Sequence, residues 1–179
     1  MILPQIQIAR AHWLLGALFL VVILEEYVPL LNANGRAERS RSVVVPWALM
    51  LGGAGVWATC VFADVVHDML IHFVWGDVLF AGGALELARR RGVYERPWMV
   101  GVLPFVFLSC GALFMVHVLI DPGGQGASWH TALGLLLIAA GVLEVIRVLR
   151  RREPVIPLAL VPLAGFALAL IAIPVAAAS

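Results

Sequence analysis

Six apolar windows, each about 20 residues long, leave this chain few ways to fold. A helix needs roughly 20 residues to cross the hydrocarbon core of a bilayer. The windows run over about Ala11–Leu31, Val43–Phe62, Val65–Ala88, Trp98–Ile120, Ser128–Leu149 and Pro154–Val175. None shows the two-residue alternation of a membrane β-barrel. The sequence therefore predicts an all-α fold, a polytopic membrane helical bundle of six transmembrane helices forming one domain over residues 1–179.

Composition agrees. The chain is 63% hydrophobic and 13% charged, with a mean hydropathy of +1.01. A soluble domain is about 45–50% apolar and about 25% charged. So much apolar surface exceeds what a small water-soluble core can bury, and the lipid bilayer is the expected partner. The stretch after Arg10 is long, ends in Glu25-Glu26 and lacks a small-x-small cleavage pattern, so it reads as a retained first span.

Arginine placement sets the orientation. All twelve basic residues are arginine, a usage that suggests a G+C-rich bacterial source. The first, third and fifth connections hold eleven of them: Arg36, Arg39 and Arg41; Arg89, Arg90, Arg91 and Arg96; Arg147, Arg150, Arg151 and Arg152. Only Arg10 falls on the other side. By the positive-inside rule these connections are cytoplasmic. The chain is then a multi-pass protein of the bacterial plasma membrane with both termini outside. The net charge is +1 and the basic clusters are short, so nucleic-acid binding has no support.

The sequence also resembles itself. Shifted by 58 residues, Ile71–Glu95 lies over Trp129–Glu153, with identities at His72/His130, Gly76/Gly134, Gly83/Gly141, Glu86/Glu144 and Arg89/Arg147. His12, Gly16 and Glu26 repeat the His-x3-Gly-x9-Glu spacing in the first span. This predicts three tandem helical hairpins, over about 11–62, 65–120 and 128–175, related by an axis along the membrane normal. At about 100° and 1.5 Å per residue, His, Gly and Glu share one helix face, with Glu about 21 Å from His.

The polar residues divide between the two sides. His12, His67, His72, His117 and His130 all fall in the outer half of the chain's spans. Asp68 and His72 are four residues apart, as are His117 and Asp121, so each pair shares a helix face. Imidazole suits copper, zinc and haem iron. A carboxylate one turn away can orient the ring through its second nitrogen. The candidate metal ligands are His12, His72, His117 and His130, with Asp68 and Asp121 behind them and His67 as an additional candidate. Copper or haem b is the expected cofactor. The plainer alternative is that these histidines are hydrated at the interface or bonded to a neighbouring helix.

The intramembrane charges Asp77, Glu26, Glu86 and Glu144 form a second set. The glutamates lie near the inner arginines, and Arg89 and Arg147 stand three residues after Glu86 and Glu144, which allows an ion pair within the helix. Asp77 is the costliest of the set if it lies at hydrocarbon depth. Cys60 and Cys110 lie far apart in apolar runs and read as small buried residues. The glycine-rich Asp121–Trp129 segment lacks the lysine of a phosphate-binding loop, and no HExxH or GxSxG pattern is present.

The pattern His72-x3-Gly76 with Gly82-Gly83, repeated as His130-x3-Gly134 with Gly141, resembles the small polytopic families around the CopD-like copper-resistance proteins and the b561-like cytochromes. The resemblance covers spans three and five. It implies a metal or haem role for His72, His117 and His130. A methionine-rich copper motif is missing, and a three-hairpin arrangement differs from a four-helix cytochrome core. The sequence leaves open copper handling or electron transfer, a non-catalytic membrane subunit or scaffold with a membrane-protein partner or a second copy, and a small transporter or channel using Asp77 and the glutamates. It identifies no catalytic residue.

Overall fold

The computed structural model describes residues 2–27, 42–60, 66–94, 96–122, 127–150 and 156–176. Side chains are described for most of these, but not for residues 2–11, 26–27, 67–68, 150, 156–158 and 173–176. Regular structure among the described residues is helical throughout. It comprises α1 (Ile2–Tyr27), α2 (Val44–Thr59), α3 (Val66–Arg90), α4 (Val102–Ile120), α5 (Ala127–Arg150) and α6 (Ile156–Ala176), with a short 3-10 helix, Pro97–Gly101, leading into α4.

Three segments, Met69–Arg90, Pro97–Ile120 and Ala127–Leu149, are long and apolar enough to cross a membrane. His12–Glu25, Val44–Thr59 and Ala159–Ala172 are shorter apolar helices. Their length and composition point to a membrane protein. The outer surface agrees: Leu119 is 77% exposed, Leu149 75% and Phe105 66%. Apolar exposure spread over every helix suits lipid rather than water.

Each helix packs on its neighbours in sequence, and α1 closes against α6, so the six helices form a ring. Phenylalanines meet across its middle. Phe19 of α1 contacts Phe107 of α4 and Phe166 of α6, with centroids 6.3 and 4.7 Å apart. Phe114 of α4 also reaches Phe166. Leu79, Leu137 and Leu163 are buried with them.

Glycine sets the closest approaches. A Cβ on Gly53 of α2 would lie 2.6 Å from the Gly76 carbonyl of α3, and one on Gly83 would lie 2.7 Å from the Pro46 carbonyl. The same contacts recur 58 positions on, where Gly111 of α4 faces the Gly134 carbonyl of α5 at 2.9 Å and Gly141 faces Leu108. On the third side, Gly16 of α1 lies against the Ala167 carbonyl of α6. Only residues without side chains let two helix backbones come this near. These approaches join α2 to α3 and α4 to α5, across the sequence boundaries of the expected hairpins.

Helix α3 stops at a defined signal. Gly92 has φ 66°. The Val93 N–H donates to Ala88 O and the Gly92 N–H to Arg89 O, at 3.0 and 3.1 Å. This is the Schellman arrangement, and a left-handed glycine satisfies it without strain. Residues 61–65, between α2 and α3, and the loop carrying Arg36, Arg39 and Arg41 lie outside the described residues.

Candidate functional site

The bundle has two chemically different ends. His72 near the start of α3, His117 near the end of α4 and His130 near the start of α5 come together, because consecutive helices run in opposite directions. The His72 and His117 ring centroids are 6.2 Å apart at 75°. Those of His117 and His130 are 4.7 Å apart at 74°. His117 is the middle member, and its Nδ1 is closed off from solvent.

Aromatic rings floor the cluster. Phe114, three residues before His117, lies 5.7 Å from His130. Trp75, three residues after His72, stands edge-on to Phe114 at 3.9 Å. Cys110, one turn before Phe114 on α4, is fully buried. Cys110, Phe114 and His117 fall at i, i+4 and i+7, one face of α4. These rings separate the imidazoles from the core below. Among the described residues, no group of three or more His, Cys, Asp or Glu is arranged to hold a metal ion. The imidazoles meet edge to face, so shared coordination requires them to turn.

The expected ligands are distributed as follows. His72, His117 and His130 are brought into one chain of ring contacts. His12 is half-buried on α1, at the same end of the ring. The side chains of His67 and Asp68 lie outside the described residues. Asp121 ends α4, its backbone N–H donating to His117 O at 3.1 Å, and its side chain is exposed. Trp75 and Phe114 escaped the sequence reading. An aromatic stands three residues after His72 and three before His117, but α4 is apolar on every side and marks no inward face.

The opposite end carries the glutamates. Glu86 is 1% exposed and Glu144 is fully buried. Burial of a carboxylate demands a charge partner and hydrogen bonds. Arg89 supplies both to Glu86, through Nε at 2.8 Å and Nη2 at 2.6 Å. Arg90 adds a third bond from Nε at 2.7 Å, and its Nη1 donates to Ser42 O. Ser42 in turn donates to Glu25 of α1. Arg147 holds Glu144 through Nε at 2.8 Å. These side chains have the pairing expected of structural charges. The Glu26 side chain lies outside the described residues.

Asp77 stands apart from both ends. It lies mid-helix on the exposed face of α3, in a groove of about 580 Å³ beside α4. None of the histidines lines that groove.

No protein-family model, curated protein or solved structure matches this chain.

Proposed function

We propose that the chain is a six-span protein of the bacterial plasma membrane that binds a transition metal through His72, His117 and His130 near its outer face. Copper is the metal favoured, with a role in copper handling or electron transfer. The observation that carries this reading is the meeting of three imidazoles from three consecutive helices at one end of the ring. Imidazole is a copper ligand. An imidazole nitrogen sits about 2.0–2.1 Å from a zinc ion, and similar contacts let rings this close share one ion after modest rotation.

Haem b is the other group that paired histidines suit. The geometry favours it less. A porphyrin needs a flat slot between its axial rings, and the His117–His130 separation of 4.7 Å leaves none between that pair. Phe114 and Trp75 occupy the space beneath. The phenylalanines across the ring weigh against transport through its centre. Orientation with both termini outside rests on the arginines, which put the Glu86 and Glu144 end in the cytoplasm. The glycine contacts that recur after 58 residues support a repeat that relates the α2–α3 pair to the α4–α5 pair.

Copper titration of the purified protein tests the site. His117→Ala should weaken binding at least about 100-fold, beyond the 10–100-fold typical of losing a residue that only orients a ligand. His72→Ala and His130→Ala should behave alike. Equal affinity in all three variants and the wild type would remove the site. Orientation has its own test, in a background with Cys60 and Cys110 replaced by alanine. Gln125→Cys should react with a membrane-impermeant maleimide in intact cells, and Arg151→Cys only after permeabilisation. The reverse pattern would invert the topology.

A further inference from the structure

The groove beside Asp77 carries a second proposal, independent of the histidines. Asp77 lies eight residues into the apolar Met69–Arg90 segment. At 1.5 Å per residue that is about 12 Å from its start, well inside a hydrocarbon core about 30 Å thick. Its side chain faces outward, away from the ring's interior. No described residue gives its carboxylate a hydrogen bond or ion pair. A carboxylate facing lipid at that depth is costly and calls for a cationic or hydrogen-bonding partner.

The rest of the groove specifies that partner's shape. Ala81 and Leu85 continue the wall below Asp77, with Gly101 and Phe105 opposite and Trp98 at the arginine-rich end. A Cβ added to Gly101 would meet nothing within 4 Å. Small residues admit another helix backbone closely. The groove follows the helix direction, from mid-span to the end where Trp98 is 56% exposed. Its lining is otherwise apolar. A second copy of this chain lacks the complementary charge, since its arginines lie at or beyond the ends of the apolar segments.

We propose that this groove receives one transmembrane helix of a partner protein, with an arginine or lysine near mid-span paired to Asp77. A synthetic helix serves as the probe: a leucine-rich transmembrane peptide with one central arginine, co-reconstituted with the full chain in phosphatidylcholine vesicles and followed by energy transfer between fluorophores. The peptide should associate saturably. Its all-leucine counterpart should bind about tenfold more weakly, and Asp77→Asn should bring the arginine peptide to that level. Asp77→Asn changes an exposed group at constant size, so the fold is retained. Gly101→Leu, which fills the groove without touching the core, should weaken association as well. His117→Ala should leave it unchanged, which separates this proposal from the metal reading. Equal association of both peptides, or of the arginine peptide with wild type and Asp77→Asn, would overturn it. So would energy transfer between copies of the chain that Asp77→Asn abolishes, because a second copy would then fill the groove.

Discussion

Replacing Gly53 with leucine should destabilise the protein by about 3 kcal/mol or more, the upper end of what overpacking costs, and a large share of the chain should fail to fold. The obstacle is backbone. The new Cβ would lie 2.6 Å from the Gly76 carbonyl and 2.8 Å from the Phe80 nitrogen of α3. A side chain can rotate away from such a contact, but a helix backbone cannot, so α2 and α3 must separate. That movement also pulls Trp57 off Phe73 and Phe80, which it now contacts. Gly111→Leu should behave similarly, since the Gly134 carbonyl and the Ile138 nitrogen each lie 2.9 Å from the added Cβ. Gly101→Ala should change nothing measurable, because its Cβ enters open space. The midpoint of unfolding in mixed detergent micelles, with gel filtration for the folded fraction, reads all three. A tolerated leucine at both Gly53 and Gly111 would mean that these helices do not approach as described.

The second large effect is expected at Glu86. Glu86→Ala should cost about 3–5 kcal/mol, the range for removing one partner of a buried ion pair. The reason lies in what remains. The Arg90 side chain is 1% exposed and loses the 2.7 Å ion pair from its Nε to the carboxylate. Arg89, at 31%, can swing to water and adds little. Arg90 also bridges to Ser42, and Ser42 to Glu25, so the loss spreads to the contact between α1 and α2. Adding Arg90→Met should recover much of the stability, because apolar replacement of both partners is often nearly neutral. Unfolding midpoints of the two single variants and the double variant form the cycle. Additive losses would show that the pair acts as two separate charges.

Much of this architecture was legible in the residues. The six apolar windows correspond to the six helices, because period and length in an apolar chain leave little else. The boundaries were less visible. Helix α1 begins at Ile2, well before the window at Ala11, since Gln5, Gln7 and Arg10 lower hydropathy without breaking helical hydrogen bonds. The pairing of Glu86 with Arg89 and of Glu144 with Arg147 followed from i,i+3 spacing alone. Helix adjacency did not. Gly53 and Gly111 could be seen to lie 58 residues apart, yet only the fold shows that each meets the glycine of the next helix. The histidines were partly legible. His72 and His130 stood out by their shared spacing, whereas His117 lies on a helix that is apolar all round and was joined to them only by its level. Its position between the other two rings depends on α4 lying between α3 and α5 in the ring. Asp77 was expected to be costly, but the direction it faces depends on how α3 is rotated against α2 and α4.

The proposed metal site is formed by His72, His117 and His130. Its most direct measurement is elemental analysis of the protein purified from membranes, taken together with its visible absorption spectrum. The expected result is one copper per chain, lost in His117→Ala, and no Soret band. A Soret band would assign the imidazoles to haem instead of copper. A wild-type protein with neither copper nor haem, and with His72→Ala and His130→Ala indistinguishable from it, would show that the three histidines hold no metal.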